Sequence, residues 1–208
     1  MACEIELKAR AEDPEAVKKR LSGLGVWGGS YIKEDCYWKA AGENGALPAS
    51  GLRVRRESRK LPDGMTVSAC TVTFKTKEKR DGIEVNEENE FTVSDGGTFS
   101  ALLTRLGLRE DYRKRKTGEV WTADGNITAE LAEVGDSRRS LGVFLELEII
   151  ADNDRPATVK TARARLLALL AACGLPEDRI EPRYYAELLG DIYEPVPIDF
   201  VGMKGDET

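Results

Sequence analysis

The chain has 208 residues, 41% hydrophobic and 33% charged, with a net charge of −6. That length supports one large domain or two small ones with a real core. With no histidine, His-based triads, imidazole general bases and His-ligated zinc are excluded, so acid–base or metal chemistry falls to carboxylates, lysines, tyrosines or water.

In chain order, the first predicted strand, about 2–10, contains CEIELKAR. Glu4, Glu6 and Lys8 share one parity and Ile5, Leu7 and Ala9 the other. DPEAVKKRLSGLG (13–25) reads as a helix. Asp13 is its N-cap, Pro14 is at N1, Val17, Leu21 and Leu24 form a stripe, and Gly25 is the C′ residue. Strands follow at about 31–40, 51–59, 67–78 and 83–94, with a long glycine-rich loop, 40–51, read as an entrance loop. A second helix is expected over 98–108, with Phe99, Leu102, Leu103 and Leu106 on one side and Gly107 at its end. Three more strands, about 111–121, 126–134 and 143–151, precede a third helix, 155–174, with Val159, Ala162, Leu166, Leu170 and Cys173 in register and Gly174 as terminator.

Neither an internal repeat nor a linker is visible, so a single domain over 1–189 is expected. Residues 190–208 form a proline-broken tail, docked or partly disordered. Four scattered cysteines without a C-x-x-C pair fit a reduced, cytoplasmic protein. The chain opens almost directly on a strand, so no signal peptide is expected. Its longest apolar stretch, LLALLAACGL, is too short to cross a membrane.

The charges repeat the parity of the first strand. Arg53 and Arg55 oppose Leu52 and Val54. Thr73, Lys75 and Lys77 oppose Val72 and Phe74. Glu84, Asn86, Glu88 and Glu90 oppose Ile83, Val85 and Phe91, and Glu146 and Glu148 oppose Leu145, Leu147 and Ile149. For any one strand, the ordinary reading is a sheet with its charges in water. Across the set, dense charges of both signs are sorted by strand, and three helices carry apolar stripes that need a surface to cover. An α+β fold satisfies both facts: an eight-stranded antiparallel barrel with helices outside and a charged, wet interior. A cavity lined by both signs calls for metal ions together with a polyanion.

Glu4-x-Glu6-x-Lys8 resembles the E-x-E-x-K signature of the CYTH superfamily, the triphosphate tunnel metalloenzymes. DCYW (35–38), LRVRRE (52–57), TFKTK (73–77), the acidic strand 84–91, the basic strand 112–116, ITAELAEV (127–134), LGVFLELEI (141–149) and RYYAELL (183–189) follow in family order. The last three elements look most like the class IV adenylyl cyclase branch. The resemblance implies a triphosphate-bearing small molecule in the tunnel with Mg²⁺ or Mn²⁺. Glu4, Glu6, Glu146 and Glu148 correspond to metal ligands or their close support, together with Glu130 or Glu133 from the seventh strand. Lys8, Arg53, Arg55, Lys75, Lys77, Lys114 and Lys116 correspond to phosphate contacts, with Glu88 and Glu90 beside them in the substrate site. Gly118 departs from the family, which usually carries a basic residue there, and Lys114 or Arg115 is the substitute to consider.

Glu4, Glu6 and Lys8 are the candidate catalytic residues. Triphosphate hydrolysis is placed slightly ahead of cyclisation of ATP to cyclic AMP and pyrophosphate, with a non-catalytic nucleotide or polyphosphate sensor as a third reading. RKRK (113–116) raises nucleic-acid binding, which the acidic net charge and the absence of another basic patch argue against. Trp27 and Trp121 are read as packing residues, Trp38 as lying near the entrance loop, and Tyr184 and Tyr185 as anchors of the C-terminal segment, one of which could reach the tunnel. A homodimer stays open.

Overall fold

A computed structural model describes residues 2–40, 50–80 and 83–190. The proposed entrance loop, apart from its ends, and the tail beyond Gly190 lie outside these residues. Eight strands form one closed antiparallel barrel: β1 (Cys3–Arg10), β2 (Gly25–Ala40), β3 (Ser50–Lys60), β4 (Thr66–Arg80), β5 (Ile83–Thr92), β6 (Leu108–Ala123), β7 (Ile127–Gly135) and β8 (Ser140–Ala151). Their order around the wall is β1-β5-β4-β3-β2-β6-β7-β8, and β8 pairs back to β1. Helices α1 (Pro14–Leu24), α2 (Gly96–Arg105), α3 (Pro156–Ala172) and α4 (Tyr185–Gly190) accompany the barrel.

The parity of the strands decides the architecture. Ile5, Leu7, Leu145, Leu147, Ala129 and Ile127 face outward and are buried under α1 and α3, in one core with Val17, Leu21, Val159, Leu166 and Leu170. Each fully buried aliphatic side chain contributes about 1.5–3 kcal/mol relative to exposure. The other parity carries the charges, which turn inward, apart from apolar patches around Val134 and Phe144 and around Tyr31, Val120 and Ala132.

The first helix starts as expected: the Asp13 carboxylate accepts from the Ala16 amide at 3.0 Å, and Pro14 opens the first turn. Its end differs from expectation. Gly25 is extended rather than left-handed and is already the first residue of β2, which therefore begins six residues before the predicted position 31. A Cβ there would lie 2.8 Å from the Thr122 carbonyl, so glycine is needed for close approach of the two strands. The second helix begins at Gly96, where Asp95 accepts from the Gly97 and Thr98 amides. Its expected stripe is only partly used: Leu103 is buried, whereas Leu102 and Leu106 are exposed. All five predicted positions of the third helix are buried; it ends at Ala172, with Cys173 as C-cap, and Gly174 follows with φ +78°.

α4 was not expected as a helix. Its six residues are too few to display a helical period, and its position comes from packing. Leu188 meets inward-facing Val134 and Phe144, and the Tyr185 ring meets Phe144 edge to face at 5.3 Å. The helix thus fills part of the barrel interior. The Glu181 amide donates to the Lys8 carbonyl at 2.9 Å, and Glu181 receives the Arg10 and Arg183 guanidiniums, tying the chain before α4 to β1.

Of the tryptophans, Trp121 is fully buried in the main core. Trp38 packs outside the barrel with Val54, Val72 and Leu103, and Trp27 is partly exposed with its indole N–H on Glu119. All four cysteines are free thiols.

Candidate active site

The inward parity surrounds a cavity of about 380 Å³. Among the described residues, eight glutamates and seven lysines or arginines line it, with four tyrosines. Of the residues picked out from sequence, it brings together Glu4, Glu6, Lys8, Arg53, Arg55, Lys75, Glu88, Glu90, Lys114, Lys116, Glu130, Glu146 and Glu148. Lys77 stands opposite Asn86 in the β4–β5 ladder, and its side chain lies outside the described ones.

The acidic residues divide into two groups. Glu4, Glu6 and Glu148 each place one carboxylate oxygen within 4.8 Å of the others. β1 supplies the first two at a spacing of two, and β8 supplies Glu148 directly opposite Glu6. Burial and the neighbouring Glu6 push the Glu4 carboxyl up to about 10, against the pull of Lys75. Glu148 and Glu84 are also raised, first by burial and then by Glu6 among their neighbours. Burial disfavours a charge on Glu6 as well, but Lys75, Lys8 and a hydrogen bond with Glu84 outweigh it and hold Glu6 below the usual range. Glu4 and Glu84 are raised although Lys75 and Lys8 pair with them, because burial and the crowded carboxylates outweigh one counter-charge each.

Glu130 and Glu146 form the second group. Lys33 Nζ lies 2.5 Å from Glu130, and the Tyr31 hydroxyl donates to it at 2.7 Å. Glu146 receives both Lys116 and the Tyr185 hydroxyl. Glu133, the alternative seventh-strand residue, is exposed on the outer face.

The basic residues are held in pairs. Lys75 sits among Glu4, Glu6 at 3.7 Å and Glu88 at 2.7 Å. Lys8 pairs with Glu84 at 2.8 Å. Arg55 makes a two-pronged bond to the buried Asp35 at 2.7 and 3.0 Å, and Lys114 approaches the same carboxylate at 3.2 Å. Burial opposes ionisation of Asp35, but these two cations win and hold it well below the carboxylate range. Arg53 is less committed: it donates one bond to Thr73 at 2.8 Å and lies 3.6 Å from Glu90, and its buried Nε has no hydrogen-bond partner. A buried guanidinium with an unused donor is suited to gripping an incoming phosphate oxygen.

RKRK divides by face. Lys114 and Lys116 enter the cavity, whereas Arg113 and Arg115 are exposed outside, 2.7 Å from Glu110 and 3.9 Å from Glu34 respectively. Lys114, not Arg115, is therefore the inward residue near Gly118. Gly118 itself has no room for a side chain. A Cβ would meet the Leu131 carbonyl at 2.4 Å and the Ala132 Cβ at 2.5 Å.

Sequence reasoning missed Lys33, Asp35, Tyr37, Glu84 and Tyr112 as cavity or supporting residues. Most had a legible signal. YIKEDCY (31–37) puts Tyr31, Lys33, Asp35 and Tyr37 on one parity, and Glu84 shares the parity of Glu88. Tyr184 and Tyr185, of which one was expected to reach the tunnel, both line the cavity, Tyr185 on α4 rather than on a strand.

The donors fit a hard divalent cation. Glu4, Glu6 and Glu148 offer oxygen alone, as Mg²⁺ and Mn²⁺ prefer. Asn86, opposite Glu4 in β5, is buried with both side-chain polar atoms unpartnered, so a further amide oxygen is nearby.

The CYTH domain family model matches residues 2–185. The chain belongs to the CYTH domain family. Solved structures share its fold. The PH1819 protein of Pyrococcus horikoshii OT3 is 24% identical, with a TM-score of 0.75 over 90% of this chain and 98% of that one. The PH1012 protein of the same organism is 28% identical, with a TM-score of 0.69 over 89% and 99%. HpAC1 from Hippeastrum, for which a dominant triphosphatase activity is described, is 16% identical, with a TM-score of 0.63 over 94% and 98%. A search of curated proteins found no match. Among the described residues, no helix is long and apolar enough to cross a membrane.

Proposed function

We propose that this CYTH protein is a metal-dependent phosphohydrolase acting on a triphosphate bound in the barrel. One observation carries the reading: the oxygen-only trio of Glu4, Glu6 and Glu148 shares a single cavity with Arg53, Arg55, Lys8, Lys114 and Lys116. Lys75 joins the two halves, because its ammonium stands where the acidic trio meets the cationic wall.

A divalent cation on Glu4, Glu6 and Glu148 would supply Lewis-acid neutralisation of phosphate oxygens. The chain's own residues do the rest. Arg53 offers a planar fork to phosphate oxygens, Arg55 the donors its two-pronged bond to Asp35 leaves over, and the lysines point charges. Fixed by Asp35, Arg55 keeps its orientation without reorganising when charge moves. Attack of water on the terminal phosphorus breaks its bond to the bridging oxygen and yields phosphate and the diphosphate product. The negative charge appearing on the leaving group is met by cations already in place. Glu88 and Glu90 act by positioning Lys75 and Arg53, and Glu130 and Glu146 by positioning Lys33 and Lys116.

The test is incubation with ATP, thiamine triphosphate or tripolyphosphate, each with Mg²⁺ or Mn²⁺, followed by product separation. Phosphate and the matching diphosphate are expected. Cyclic AMP with pyrophosphate would replace this reading by a cyclase, and tight binding without products by a sensor.

A further inference from the structure

Most of the cavity wall is ionic, and its four tyrosines fall into two sets, Tyr184 and Tyr185 from the C-terminal segment and Tyr37 and Tyr112 from the strands. Tyr37 of β2 and Tyr112 of β6 stack with ring centroids 4.2 Å apart and planes 9° from parallel, and both line the cavity. A local irregularity lies beside them. Cys36 pairs with Arg113 and Trp38 with Glu110, so β6 spends two residues, Asp111 and Tyr112, opposite the single Tyr37. Such a bulge re-aims a side chain, and bulges concentrate beside functional sites. Tyr112 already shares the inward parity of Lys114 and Lys116, and the bulge lies beside it, opposite Tyr37. Both tyrosines are partly exposed, whereas Lys8, Lys33, Lys114 and Lys116 along the same interior are buried.

The pair also adjoins the phosphate-gripping groups. Tyr37 is directly opposite Arg53 in the β2–β3 ladder, and the Lys114 ammonium donates to the Tyr37 hydroxyl at 3.2 Å. An apolar ring surface joined to cationic side chains matches a ligand with a planar ring at one end and phosphates at the other.

Resting on the triphosphate reading above, we infer that the Tyr37–Tyr112 pair is a stacking subsite, and that the substrate is a triphosphate ester carrying a planar heteroaromatic ring rather than inorganic tripolyphosphate. The ring stacks on the tyrosines, and the phosphate chain runs from Arg53 toward Lys75. The subsite is sequence-tolerant in the way of aromatic platforms, since every base or heterocycle has a π face.

The experiment is the ratio of kcat/KM for a ring-bearing triphosphate to that for tripolyphosphate, measured with ATP, UTP and thiamine triphosphate as separate arms. The wild-type protein is expected to prefer at least one of the three over tripolyphosphate by about tenfold or more, the scale of a single stacked ring. The arm with the largest ratio identifies the ring. Tyr112→Leu is expected to lower that ratio by about tenfold, and Tyr112→Phe, which keeps the ring, to retain it. A wild-type ratio near one overturns the subsite and needs no variant. A Tyr112→Leu protein that folds and keeps the wild-type ratio also overturns it, leaving the pair as a pillar between β2 and β6. Failure of every triphosphate, tripolyphosphate included, either to turn over or to bind would instead refute the reading of the cavity and this inference with it.

Discussion

Gly118 offers a sharp test of how the barrel wall is built. The family pattern asks for a basic residue at this inward position, and the simplest engineering idea is to restore one. The structure argues that even a methyl group is too much. Side chains facing each other across antiparallel strands usually have Cβ atoms about 4.5–5.5 Å apart. A Cβ on Gly118 would stand 2.5 Å from the Cβ of Ala132, its partner in β7, and 2.4 Å from a backbone carbonyl that cannot swing away. Gly118→Ala must therefore push β6 from β7 or twist both, and such overpacking costs about 1–3 kcal/mol. For a chain of this size that is roughly 2–12 °C in Tm. Ala132→Gly in the same chain removes the 2.5 Å clash but leaves the Leu131 carbonyl, so it should restore only part of the loss. Thermal unfolding followed by circular dichroism measures both variants. A Gly118→Ala protein melting at the wild-type temperature would refute the close approach, and with it the claim that no basic side chain can project from this position.

Other outcomes follow from the same geometry. Glu6→Gln is expected to lower turnover by at least a hundredfold while the protein stays folded; full activity would sink the assignment of the trio. Chelator should abolish turnover and excess Mg²⁺ or Mn²⁺ restore it, as followed by phosphate release. The carboxyl of Glu181 is held at about 2 rather than 4.5, chiefly by its bond from Arg183, with Arg10 assisting. A depressed carboxyl stabilises the fold above its unfolded value and loses that contribution as pH falls from 4.5 toward 2. Glu181→Gln should accordingly show a shallower fall in urea midpoint between pH 5 and 3, and an unchanged slope would contradict the clamp.

How far the molecule was legible in its sequence depends on whether the signal is local. The period of two placed Glu4, Glu6, Lys8, Arg53, Arg55, Lys75, Glu146 and Glu148 on shared faces, and the need to cover the opposite faces forced them inward. The same rule extends to Lys33 and Asp35, whose parity had been readable but whose strand was not identified as part of the site. Where the signal is not local, reading failed. The start of β2 at Gly25 is written as VWGGS, a stretch that reads as a turn, and only pairing with β6 makes it strand. The exposed Leu102 and Leu106 show that a helical stripe does not say how wide the covered surface is. The division of the glutamates into a metal-ready trio and a lysine-bound pair depends on which strand ends lie across from which.

That division gives the resting cavity its chemical meaning. Each lysine of the wall is paired with a carboxylate, and Lys75 lies among Glu4, Glu6 and Glu88. Such pairs bring charges of both signs into a buried space, where neither would be tolerated alone. On the proposed function, a triphosphate and a divalent cation would exchange partners with them: phosphate oxygens would take up the ammonium and guanidinium donors, and the cation the carboxylates those donors release. That exchange would replace each ion pair of the wall by another, so the wall's own charges would not be left unpaired, while the incoming ions still shed their water. Lys75 is the residue on which the exchange turns, because it alone touches Glu4, Glu6 and Glu88 among the described residues. Removing its ammonium, as in Lys75→Met, leaves those carboxylates without their counter-charge, and a buried ion pair broken on one side costs about 3–5 kcal/mol. Mg²⁺ should recover part of that stability in the variant, because the cation then occupies the place the lysine has left.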